Sequence, residues 1–171
     1  MSVTIRNARD SANDRRWIAG VYRNYLDDLA PLNTGIFPAL GEIGHSEADQ
    51  LARWFADNAA FPMIVLASGE PCGFAMVARA SSDPLRRNVD YRMAEFFVAR
   101  ASRRRGVGAN AVRLLLDRFA GNWEIVEYLR NPGAVQFWRR VVADYTGGQY
   151  REENANGEVR QYFTSGPRRS P

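Results

Sequence analysis

The sequence predicts an α+β (mixed α/β) domain with an antiparallel meander at its middle. Three observations carry that prediction. Apolar residues at helical spacing alternate with short runs at strand spacing, in the order β-α-α-β-β-β-α-β-α-β-β. The three middle strands are separated by turn-like segments, too short for a crossover. The chain has 171 residues and 46% hydrophobic content, enough for one full core. A single domain is expected over residues 1–165, with 166–171 as a flexible polar tail.

The elements follow in order. Val3 to Arg6 reads as a short strand. Ser11 and Asp14 resemble a capping box. Trp17, Ile18, Tyr22, Tyr25 and Leu29 then recur at helical spacing until Pro31 stops the helix. Leu32 to His45 is rich in glycine and reads as a loop or broken helix. Ser46 to Asp49 is a second capping box, and Leu51, Trp54 and Phe55 give its helix an apolar face. Phe61 to Ala67 and Cys72 to Ala78 are strands joined by the turn Ser68-Gly-Glu-Pro71. After a polar loop from Ser81 to Asn88, Val89 to Val98 is the third strand of the meander. Ala109 to Phe119 is helical, with Gly121 as its expected C-terminal cap. Trp123 to Tyr128 is a strand. Asn131 and Pro132 then open a helix over Ala134 to Val142. Tyr145 to Glu153 and Glu158 to Phe163 read as a closing hairpin around Asn154-Ala-Asn-Gly157.

Composition removes several chemistries. All 23 basic residues are Arg, against 19 acidic ones, for a net charge of +4. Without lysine, Schiff-base and lysine-nucleophile catalysis are excluded. Cys72 is the one cysteine, so no disulfide forms within the chain, and its strand setting reads as a buried structural thiol. The single histidine, His45, sits in a polar stretch and reads as a loop residue, not the centre of a Ser-His-Asp relay. No metal site is expected. No apolar run approaches the ~18 residues of a membrane span. The opening Met-Ser-Val-Thr-Ile-Arg reads as a strand and not a signal peptide, so a cytoplasmic protein is expected.

The informative stretch runs from Phe97 to Ala109: an apolar strand, three arginines, Gly-x-Gly, then a helix. A helix start presents free N–H groups and partial positive charge, and glycines let a ligand approach the backbone. Arginines beside it add charge-assisted donors. The stretch therefore suits a pyrophosphate. Ala stands at position 111 and a meander comes first, which argues against a dinucleotide-binding βαβ unit; the P-loop ending is absent too.

Arg103-Arg-Arg-Gly106-Val-Gly108 resembles the Arg/Gln-x-x-Gly-x-Gly/Ala motif of the GCN5-related N-acetyltransferases, the GNAT superfamily. Asn131, Ala134, Phe137 and Trp138 resemble that family's downstream Asn-x-x-Ala-x-x-Phe-Tyr pattern, at matching spacing. The resemblance spans roughly residues 3–163. It implies a GNAT-like acyl-CoA N-acyltransferase fold, a central, mostly antiparallel sheet flanked by helices. It also implies acetyl-CoA as the acyl-donor cosubstrate and a primary amine of a small molecule or peptide as acceptor. Carried over by position, the backbone of Phe96, Phe97 and Val98 would pair with the pantetheine arm. Backbone N–H groups of Arg104, Arg105, Gly106, Val107 and Gly108 would hold the pyrophosphate, with the Arg104 and Arg105 side chains in reach of the phosphates, Arg103 at the motif's Arg/Gln position, and Ala109, Asn131, Phe137 and Trp138 also at the cofactor. The family's borders for the acceptor fall near Tyr25, Asp27, Asp28 and Glu42. Dimers are common in the family, so a homodimer is a candidate assembly.

A protonated amine must lose its proton before it attacks a thioester. Glu95, which interrupts an apolar run, and Glu127, near a strand end, are the candidate bases, and Tyr145, with Tyr128 and Tyr150 as alternatives, is the candidate acid. Trp138 stands where the family often has a tyrosine, and an indole N–H is no general acid. Trp138 therefore motivates one alternative, a degenerate acyl-CoA binder without efficient transfer. The other is a small basic nucleic-acid-binding protein, suggested by the arginine runs at 103–105, 139–140 and 168–169. The aromatics follow core periodicity and do not interleave with those runs, which argues against it.

Overall fold

The computed structural model describes residues 1–32, 47–80 and 88–166. The expected loop through Glu42, His45 and Ser46, the polar loop over 81–87 and the tail from 167 lie outside them. Its strands are β1 (Val3–Asn7), β2 (Ala60–Ala67), β3 (Glu70–Arg79), β4 (Tyr91–Val98), β5 (Gly121–Tyr128), β6 (Arg151–Ala155) and β7 (Glu158–Ser165). Its helices are α1 (Ala12–Leu29), α2 (Glu47–Ala56), α3 (Val107–Arg118) and α4 (Pro132–Thr146). The strands form one sheet in the order β1-β2-β3-β4-β5-β7-β6. Every pairing is antiparallel except β4 with β5.

Both faces of the sheet are covered. Ile18, Tyr22, Tyr25 and Leu26 of α1, with Leu51 and Phe55 of α2, bury against Ile64, Phe74 and Phe97. On the other face Leu115 and Leu116 of α3, with Trp138 and Val142 of α4, bury against Met93, Trp123 and Ile125. Burying one large apolar side chain is worth roughly 1.5–3 kcal/mol, so these two layers dominate the stability.

Local signals place the helix starts as expected. Ser11 Oγ accepts from Asp14 N at 3.3 Å, and Asn131 Oδ1 accepts from Ala134 N at 3.1 Å. Several boundaries differ from expectation, and four of the differences have a plain physical cause. Helix α3 begins at Val107, two residues early, because Gly106 turns the chain in the left-handed region (φ 77°). Gly121 caps nothing; it opens β5, and a Cβ there would meet Asp90 Oδ2 at 2.7 Å. Helix α4 runs on to Thr146, where left-handed Gly147 (φ 64°) stops it, so Tyr145 is helical and the closing hairpin begins only at Arg151. The hairpin turn shrinks to Asn156 and Gly157, both with positive φ, as a two-residue turn requires.

Strand β4 is irregular in two ways. The β3–β4 register pairs Met76 with Glu95 but Val77 with Met93, so Ala94 is an extra, bulged residue. And β4 pairs with β5 only at Tyr91–Trp123 and Arg92–Glu124, after which the two strands part.

Candidate functional site: a cleft between parted strands

Beyond Arg92 the edge of β4 that faces β5 has no strand beside it. Ala99 N donates to Cys72 O at 2.8 Å, which marks alternate residues of β4 as the ones bonded to β3. Phe96 and Val98, between them, turn their N–H and C=O groups toward the gap. The gap is a cleft of about 990 Å³. Its walls include Tyr25, Asp28 and Leu29 of α1, Phe96 to Val98, and Arg103, Arg104, Gly106, Gly108 and Ala109. Opposite lie Asn131, Phe137, Trp138 and Arg140 of the α4 segment.

The corner between β4 and α3 is a donor-rich cradle. Among the described residues, the N–H groups of residues 104 to 109 have no hydrogen-bond acceptor; Asn110 is the first to find one, at Gly106 O, 3.0 Å away. Arg104 (φ 64°) and Gly106 (φ 77°) are both left-handed. Such turns point successive N–H groups inward and make an anion-binding nest. A left-handed non-glycine costs of order 1 kcal/mol, and strain of this kind gathers at functional sites. Gly108 is there for closeness, because a Cβ would touch two atoms of the Phe137 ring at 3.2 Å. Phe96, Phe137 and Trp138 form an aromatic wall, with ring centroids 5.2 to 5.9 Å apart.

Most of the residues singled out from sequence meet here. Phe96, Phe97, Val98, Arg103, Arg104, Gly106, Gly108, Ala109, Asn131, Phe137 and Trp138 line the cleft. Arg105 is exposed outside the lining, and the Val107 side chain is fully buried behind the corner. Gln136 and Arg140 were missed. Their spacing of four on α4, one helical turn, was the available signal.

The candidate acid–base residues separate. The Ala94 bulge turns Glu95 onto the α1 face, where it is 5% exposed. Tyr22 OH donates to its Oε1 at 2.8 Å, and its Oε2 has no hydrogen-bond partner. Burial pushes this carboxyl up to about 7, while the Tyr22 hydroxyl and the nearby Trp54 indole hold it from going higher. The Trp54 N–H comes near without closing a hydrogen bond. Tyr25 lines the cleft and feels the Glu95 charge; burial first, then Glu95, raises its own phenol well above 10.

Glu127 faces α4 instead, outside the cleft lining. Both its oxygens are buried without partners. Burial, with Glu152 nearby, pushes it up to about 8. Tyr145 is likewise outside the lining: its hydroxyl donates to Asp117 at 2.7 Å and accepts from Gly166 N at 3.2 Å. The arginine runs are partly spent on ion pairs, Arg103 with Asp28 and Arg139 with Glu152. Among the described residues no group of three or more His, Cys, Asp or Glu could hold a metal, and no helix is long and apolar enough to cross a membrane.

The family model for the acetyltransferase (GNAT) family matches residues 26–142, which takes in the cradle, both parted strands and most of α4. The chain belongs to the GNAT acetyltransferase family. Solved GNAT structures share its fold. An acetyltransferase from Thermus thermophilus superposes with a TM-score of 0.67 at 13% identity, covering 96% of this chain and 97% of that one. A PaiA N-acetyltransferase from Thermoplasma acidophilum, in complex with coenzyme A, gives 0.62 at 11% identity, covering 96% and 99%. A spermidine N-acetyltransferase from Vibrio cholerae, with CoA and spermine, gives 0.62 at 15% identity, covering 95% of each chain. No curated protein matches the sequence. The GNAT chain thus has the seven-stranded, mostly antiparallel sheet and flanking helices that its motif pair implies.

Proposed function

We propose that this protein transfers the acetyl group of acetyl-CoA to a primary amine of a small molecule or peptide. The observation that carries the reading is the cradle of unbonded N–H groups at 104–109, set at the open end of an unpaired strand edge. A diphosphate fits the cradle by charge and geometry, and an amide-bearing arm fits the edge by strand addition. Together they match the two ends of coenzyme A, which supplies an activated acetyl thioester.

The chain's own residues then have distinct tasks. The N–H groups of Arg104 to Ala109 hold the phosphates, with Arg104 and Arg140 supplying charge at the rim. Phe96 and Val98 hydrogen-bond the arm and fix its depth. Phe96, Phe137 and Trp138 wall off water beside it. Glu95 accepts the proton that the acceptor ammonium must lose, through Tyr25 or an intervening water. With a pKa of about 7 it is ionised about half the time at neutrality and basic enough to take a proton. The amine nitrogen then bonds to the acetyl carbon, the carbon–sulfur bond breaks, and the thiolate takes its proton from solvent. The indole N–H of Trp138 can steady that thiolate without protonating it.

Acetyl-CoA titrated calorimetrically, followed by a thiol-release assay across small amines and short peptides, tests the reading. Binding in the micromolar range and turnover with at least one amine are expected. An absence of acetyl-CoA binding at high micromolar concentration would end it. Tight binding with no turnover on any amine would instead favour an acyl-CoA binder, the reading that Trp138 keeps open.

A further inference from the structure

Arg103 opens the anion cradle, yet its guanidinium is committed elsewhere. Its Nε–H donates to Val98 O at 2.6 Å, and its Nη2 donates to Asp28 Oδ2 at 2.5 Å. The guanidinium also lies over the Phe97 ring, 5.5 Å from the centroid. Asp28 takes a second arginine, Arg100 Nη2, at 3.0 Å. A carboxylate in the last turn of α1 faces the negative end of the helix dipole, so it is a poor choice for the helix itself. Burial would raise its pKa, but the two arginines outweigh burial and hold it below the usual carboxylate range. The arrangement serves the cleft rather than the helix. Val98 O is one of the outward-facing carbonyls on the open edge of β4, and Arg103 already occupies it.

We infer that Asp28 and Arg103 form a latch across the donor edge of β4, with Asp28 holding the arginine fork on the Val98 carbonyl that the pantetheine arm would use. The inference rests on the acetyl-CoA reading above. Both are positioning residues: they set how readily the arm seats, not how the phosphates bind. The latch joins the donor edge to α1, the helix that contributes Tyr25 and Asp28 to the cleft wall. Seating the arm draws Arg103 off Val98 O and loosens that tie, so donor binding is communicated to the wall of the cleft on which Tyr25 stands.

The test compares two ligands by calorimetry: coenzyme A, and 3′-phosphoadenosine 5′-diphosphate, which keeps the phosphates and lacks the arm. Each is titrated into the wild type, Asp28→Asn and Arg103→Met, the last keeping the aliphatic stem over Phe97 without its donors. One variant removes a negative charge and the other a positive one, so simple electrostatics shifts both ligands together, in opposite directions for the two variants. The affinity ratio of coenzyme A to the armless nucleotide removes most of that shift, and the remainder, from the extra charge on the armless terminal phosphate, has opposite signs in the two variants. With a latch, the ratio rises about tenfold or more in both variants, the size of one charge-assisted hydrogen bond released. A ratio that stays level or falls in either folded variant overturns the latch, even if melting temperatures drop. If the wild type binds neither ligand, the acetyl-CoA reading itself fails, a result distinct from a level ratio in proteins that bind both.

Discussion

The hydroxyl of Tyr22 donates to Glu95 Oε1 at 2.8 Å, joining α1 to β4 inside an otherwise apolar layer. A hydrogen bond to the charged form lowers a carboxyl pKa, so this contact partly offsets the burial that raises it. Glu95 must lose its proton before it can act as a base. Activity therefore rises with pH through about 7. In Glu95→Gln that rise disappears and kcat/KM falls roughly 10²-fold or more. In Tyr22→Phe the rise persists but moves to higher pH. A pH–rate profile of the three proteins checks both outcomes, and a profile of Glu95→Gln identical to the wild type would remove Glu95 from catalysis.

Glu127 predicts a pH dependence of stability instead. Its pKa rises from 4.5 in the unfolded chain to about 8 in the fold. The folded state therefore binds the proton more tightly. The stability this confers is complete below about 4.5 and is lost as pH rises through about 8. Glu127→Gln keeps a neutral side chain at every pH. It is expected to melt roughly 5 °C above the wild type at pH 9, with a much smaller difference at pH 5. Thermal denaturation at the two pH values is the check, and equal differences at both would contradict the assignment.

Gly106 carries the turn into α3 with φ at 77°. Gly106→Ala should cost about 1 kcal/mol of stability, since an L side chain is strained there. Because the strain falls on the cradle, acetyl-CoA affinity should drop at least several-fold while folding is kept. Melting and calorimetry on the same sample separate the two effects.

Gly73 on β3 lets β4 approach: a Cβ there would run into the Phe97 carbonyl. Gly73→Ala forces backbone apart from backbone and is expected to cost about 2 kcal/mol or more. A denaturant titration with an unchanged midpoint would show that the strands have room that the geometry denies.

The parts of this molecule that were legible in the sequence are those set by local backbone chemistry. Ser11 and Asn131 announce their helices, and Gly106 with Gly108 announces the cradle, because caps and turns need particular residues at particular offsets. The Ala94 bulge was not legible. It is a property of two strands in register, and it turns Glu95 to the face opposite the one that simple alternation from Met93 would give. Tyr145 was drawn toward a strand by its β propensity, whereas packing of Val141 and Val142 carries α4 past it to Gly147. The ties of Arg103 were equally hidden, since Asp28 lies 75 positions away along the chain.

The parting of β4 from β5 leaves seven strands joined at the middle by two residue pairs, with Asp90 N and Asn122 O bonded at 2.7 Å just beside them. Such a seam is the weakest line in the sheet. A guest that bridges it, bonding to β4 on one side and resting on α4 on the other, acts as a rivet between two halves that otherwise meet at one end. Its binding energy is then also cohesion energy. Amide exchange should slow along the free edge and in both flanking layers together when the gap is filled.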